Sequence, residues 1–176
     1  MSERVAELLK RSRPALAGWL SSAPAAMAEA LIARRPDLDR ALRMEPRDDG
    51  TFQLLVVLES PTLDPERTLL LWMEVNEPSV GFGPWHTHGG CLAGSGEIVE
   101  ECRAVADLVD AILSDRMVLM TDVGGKFSGF VTVVDLREAD ALAEELTSPY
   151  SPGRLRVTSW GGTVDREWCL DDLAGL

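Results

Sequence analysis

The chain has 176 residues, long enough for one domain with a sizeable core. Its 45% hydrophobic and 26% charged residues suit an ordinary globular protein, which argues against a disordered or fibrous chain. A net charge of −12 argues against a surface built to neutralise nucleic-acid phosphates. No stretch reaches the roughly 18 apolar residues of a membrane span.

The charge is uneven along the chain. Residues 1–49 carry nine Lys/Arg against eight Asp/Glu, and residues 50–176 carry eight against 21. Such an acidic segment attracts a basic partner and speeds its association, although acidity also serves plain solubility. Cys91, Cys102 and Cys169 are odd in number and lack Cys-x-x-Cys spacing. This speaks against a disulfide framework or a cysteine zinc site, and for a reducing, cytoplasmic setting.

The first element in chain order is "KRSRPALAGWLSSAPAAMAEA", which has the outline of a signal peptide. Ser21, Ser22 and Pro24 interrupt its apolar run, and Glu29 closes it. The spacing of Val5, Leu8, Leu9, Leu16, Trp19 and Leu20 instead predicts an amphipathic helix. Residues 1–45 read as two or three helices, with Ser2 and Ser22 as N-caps and breaks at Pro14 and Pro36. The turn-rich "RMEPRDDG", 43–50, predicts a boundary between a helical arm, 1–47, and an α+β domain, 48–176, that domain forming one compact unit.

Strands are expected over 51–59, 68–76 and 79–86, the last two joined at "NEPS". "EIVEECRAVADLVDAIL", 97–113, has apolar positions 98, 105, 108, 109, 112 and 113. That pattern predicts an amphipathic helix capped by Ser95, with acids in its first turn where the helix dipole favours them. "RMVLMTDVGGKFSGFVTVVD" reads as two strands about a Gly-Gly turn, and "READALAEEL", 137–146, as a short helix. In "RLRVTSWGGTVDREWCL", Gly161 and Gly162 make a two-residue turn that places Trp160 opposite Thr163. Thr158 then faces Asp165, Arg156 faces Glu167, Val157 faces Arg166 and Leu155 faces Trp168. The expected class is α+β, a mostly antiparallel sheet covered by helices.

"SVGFGPWHTHGG", 79–90, holds both histidines. On a strand His86 and His88 point to the same side, so two imidazoles can share one ion. The string resembles the metal-binding strand of the JAMM metalloproteases, which implies zinc on His86 and His88 and a general base at Glu74 or Glu77. Gly89 stands where that family has Pro. Ser95 falls one place early, and Glu97 or Glu100 would have to serve as third ligand. Cys91 follows two glycines but has no basic neighbour in sequence to make it a nucleophile. "GGCLAGSG" lacks the Lys and Ser/Thr of a phosphate loop.

A longer pattern covers about 68–168: "EVNEPSVGFGPWHTHGG", an acidic helix, "ILSDRMVLM", then "RLRVTSWGGTVDREW". It resembles the small acidic immunity proteins of bacterial polymorphic toxin systems and their uncharacterised relatives. The resemblance implies a non-enzymatic protein that binds a basic toxin domain. The expected binding residues are Trp85, His86, His88, Trp160, Asp165, Arg166 and Glu167, with no catalytic residue, no cofactor, and neither nucleic acid nor membrane as partner. The alternatives left open are a zinc hydrolase on His86 and His88 and a structural or regulatory domain. Trp72, Phe82 and Trp85 equally fit a core, and the Asp165–Glu167 charges a hairpin face held by cross-strand pairing.

Overall fold

The computed structural model describes residues 23–46, 52–74, 77–123, 131–139 and 154–169. The chain is an α+β protein with two antiparallel sheets. The first runs β1 (Arg43–Pro46), β2 (Phe52–Leu58), β3 (Leu69–Glu74), β4 (Glu77–Phe82) and β5 (Trp85–His88), in that spatial order. The second has the order β7 (Val131–Asp135), β6 (Met117–Val123), β8 (Arg154–Thr158) and β9 (Arg166–Cys169). Helices α1 (Ala23–Arg34), α2 (Gly89–Ala93) and α3 (Ile98–Leu113) complete it, with 3-10 turns at Pro36–Arg40 and Pro65–Arg67. Among the described residues no helix is long and apolar enough to cross a membrane.

The chain divides into two compact units. The first comprises Met1–Leu58, Thr68–Gly81 and His86–Asp110; the second comprises Glu59–Arg67, Phe82–Trp85 and Ala111–Leu176. The boundary expected after residue 47, and residues 1–22 of the expected arm, lie outside the described residues. Arg43–Pro46, expected to belong to a turn, pairs antiparallel with β2, Arg43 opposite Leu55. The strand expected over 79–86 is two strands, because Gly83 takes φ +56° and turns the chain with Pro84. A Cβ on Gly83 would lie 2.3 Å from the Glu66 carbonyl oxygen, so both conformation and packing demand glycine there. The expected helix at residues 1–20, the Gly-Gly turn after β6, and the 137–146 helix beyond residue 139 lie outside the described residues.

In the first unit α1 packs on β2 and β3. It buries Met27, Leu31 and Ile32, while those strands bury Leu54, Val56, Leu69, Leu71 and Met73. The alternation along β2 and β3 is the period-two signature of strands with one covered face. On α3 the buried stripe is Cys102, Val105, Ala106, Val109 and Ile112, at helical spacing. Ser95 Oγ accepts the Glu97 N–H at 3.2 Å, just ahead of the helix, and Glu100 and Glu101 occupy its first turn. Burial, then the charge of Glu101, pushes the Cys102 thiol up to about 11.

The second unit has its own core of Val118, Met120, Ala139, Leu155 and Val157, with Val134, Leu136 and Val164 packed against it. The β8–β9 register is the expected one: Leu155 faces Trp168, Arg156 faces Glu167, and Val157 faces Arg166. The connection differs. The strands stop at Thr158 and Arg166, so residues 159–165 form a longer loop in place of a two-residue turn.

Candidate functional site

That loop is fixed by two acids and one arginine, all within the second unit. Helix α3 ends in a Schellman motif: the Asp115 N–H bonds the Ile112 carbonyl at 3.0 Å, and the Arg116 N–H the Ala111 carbonyl at 2.8 Å. The left-handed position of such a motif usually goes to glycine; here it is Asp115, at φ +54°. Its carboxylate explains the exception. It accepts the Gly161 N–H at 2.7 Å and the Thr163 hydroxyl at 2.5 Å, tying the loop to the helix end.

Arg67 ties the other side. Its Nε donates to Asp64 at 3.1 Å, and Nη1 donates to the Ser159 carbonyl at 2.9 Å and to Asp165 at 3.1 Å. Nη2 donates to the second Asp165 oxygen at 2.5 Å. Four of the five N–H donors of a guanidinium are thus committed, and the side chain is only 12% exposed. Burial works against its charge, but the bonds to Asp165 and Asp64 prevail and raise its pKa. The Glu66 N–H bond, then the Arg67 bond, lowers the pKa of Asp64. Asp165 also accepts the Ser159 N–H at 3.0 Å, closing the loop on itself.

Around this latch lies a recess of about 390 Å³. It is lined by acids of two segments, Asp64 and Glu66, then Asp165 and Glu167, with Arg67, Arg156 and Arg166 among them. Glu167 is shared between Arg154 Nη1 at 3.3 Å and Arg156 Nε at 3.9 Å. Charges of both signs alternate on a backbone that the latch holds still. In the first unit a groove of about 420 Å³ lies between α1 and α3, lined by alanines and Val99 together with Glu29, Arg34 and Arg103.

Three of the expected binding residues, Asp165, Arg166 and Glu167, come together at the recess. Trp160, also among the expected binding residues, is 7% exposed, its ring centroid 6.3 Å from that of Phe82. Its backbone carbonyl accepts the Ser60 hydroxyl at 2.6 Å, so the residue is a packing element of the loop. Trp85 is half-buried in the same unit. His86 and His88 belong to the first unit. The sequence does not mark Asp64, Glu66, Arg67 or Asp115 as parts of a site. "DPER" shows only the start of a helical turn, and nothing local reveals partners 92 to 98 residues away.

The histidines share a face, as period two requires, with ring centroids 5.7 Å apart. His88 Nδ1 lies 2.9 Å from Ser79 Oγ and 3.5 Å from Glu77 Oε1, and His86 is 6.4 Å from Trp72 by ring centroids. Two imidazoles can take up a zinc ion, but a catalytic zinc needs three protein ligands. Among the described residues no third His, Cys, Asp or Glu joins them in a group able to hold a metal. Gly89, where the JAMM pattern has Pro, is set by packing. A Cβ there would lie 2.6 Å from Pro78 and 2.8 Å from Glu101 Cβ. Comparison with family models, curated proteins and solved structures gives no match.

Proposed function

We propose that the chain is a non-enzymatic protein-binding domain of the toxin-immunity type, with the second unit's β8–β9 face and recess as its contact surface. The observation that carries this reading is the Arg67 latch. Four hydrogen bonds fix a surface loop that presents alternating charges, and a preorganised surface avoids the entropy of ordering loops on binding. The second unit carries seven Lys/Arg against 14 Asp/Glu, a field that steers a basic partner toward it. A toxin is neutralised by occlusion, so the surface needs rigidity and complementarity, with no chemical step of its own.

The test takes as partner the C-terminal domain of a large secreted protein encoded beside this chain's gene. Titration calorimetry is expected to give a 1:1 complex whose association rate falls with added salt. A folded protein that shows no binding, or neighbouring genes of housekeeping type alone, would sink the proposal. A second reading, zinc held by His86 and His88, is favoured by their shared face. Stoichiometric zinc uptake that a His86→Ala/His88→Ala variant loses would support it, and uptake indifferent to the substitutions would end it.

A further inference from the structure

The most exposed large hydrophobic residue in the described structure is Leu63, 81% accessible. A lone exposed leucine is ordinary. One held at φ +58° is not, because a bulky side chain meets its own backbone in the left-handed region, where Gly or Asn sits freely. The loop around it is clamped at both ends. The Leu63 N–H bonds the Ser60 carbonyl at 2.9 Å, and Ser60 Oγ donates to the Trp160 carbonyl. On the other side Asp64 accepts from the Glu66 N–H and from Arg67. Asp64, the next residue in the chain, and Glu66 line the recess.

Folding gains nothing from an exposed side chain in an unfavourable conformation, and backbone strain kept in place by its surroundings points to use. We infer that Leu63 is the apolar anchor by which the second unit docks on its partner. The inference rests on the protein-binding reading and specifies the partner further. The partner is a protein with an apolar pocket sized for one leucine side chain, ringed by charges of both signs that complement the acids and arginines lining the recess. The latch supplies a rigid base, so the anchor enters preorganised, with charges around it that exclude mismatched surfaces.

Two variants separate anchor from scaffold. Leu63→Ala truncates the side chain and leaves the backbone as it is. Leu63→Asn removes the anchor and suits the left-handed conformation. Against the neighbour-encoded toxin domain, both are expected to bind about 30-fold more weakly or worse, the size of a hot-spot truncation. In urea denaturation Leu63→Asn is expected to raise the midpoint, because the strain is released, while Leu63→Ala leaves it near that of the native chain. Native-like affinity in both variants, with wild type binding, overturns the inference alone. Failure of wild type to bind overturns the protein-binding reading, and the anchor role with it. A lowered midpoint in Leu63→Asn overturns the inference too, since Leu63 would then serve the loop's own stability.

Discussion

Replacing Arg67 by Ala removes four hydrogen bonds at once: one to Asp64, one to the Ser159 carbonyl and two to Asp165. Bonds to charged groups contribute about 1.5–3 kcal/mol each where water is excluded. Asp64 and Asp165 are 35% and 37% exposed, so water takes up much of what they lose and those pairs contribute little. The Ser159 carbonyl fares worse, because Ser159 is buried and among the described residues retains the long bond from the Gly162 N–H, 3.3 Å. The expected loss is about 2–3 kcal/mol, or roughly 5–10 °C in Tm for a chain of this size. Urea denaturation followed by far-ultraviolet circular dichroism reads it, with Arg67→Lys expected to recover less than half, since an ammonium cannot span both aspartates. A double-mutant cycle with Asp165→Asn is expected to return a coupling of about 1–2 kcal/mol. A loss below ~0.5 kcal/mol would refute the idea that Arg67 fixes the loop.

Asp115→Ala loses both loop bonds and keeps an unfavourable backbone, so it is expected to cost about 1–3 kcal/mol, while Asp115→Asn, which tolerates φ +54° and retains an acceptor, costs less; equal losses on denaturation would contradict this. Gly83→Ala puts a Cβ against the Glu66 carbonyl at positive φ and is expected to destabilise by at least ~2 kcal/mol, where a native-like midpoint would refute the close approach. Stability is expected to fall in acid. Bonds from Arg137 hold Asp135 at about 2, and Asp64 is also lowered. A carboxylate depressed on folding stabilises above its unfolded pKa and loses that as pH falls through the folded value. Urea midpoints should therefore drop between about pH 4 and 2, less so in Asp135→Asn. Cys102, buried with its pKa at about 11, should resist a thiol reagent near pH 8 in a Cys91→Ser/Cys169→Ser background until the chain unfolds; rapid native reaction would contradict its burial.

The β8–β9 register was legible because alternation of Leu155 and Val157 with Arg154 and Arg156 leaves one face to bury, and a one-residue slip would reverse it. The Gly161–Gly162 pair suggested a tight turn, yet the loop's shape is decided by Asp115 and Arg67, which lie 46 and 92 residues from the groups they bond. Such partners leave no local mark. Trp160 illustrates the same limit: an aromatic beside two glycines suits an interface as well as a core, and only the position of Phe82 decides. The shared face of His86 and His88 follows from period two alone. The turn at Gly83 and Pro84 did carry a signal, the "GP" pair, inside what otherwise reads as one strand. Arg43–Pro46 is strand because β2 pairs with it, against its turn-forming composition.

Hydrogen exchange of the protein alone and with the neighbour-encoded toxin domain tests the binding surface most directly. The expected result is protection gained on binding over residues 59–67 and 154–169, where the latch, the recess and Leu63 lie. Protection confined to the His86–His88 strand or to the α1–α3 groove would place the partner elsewhere, and no change anywhere would contradict the binding role itself.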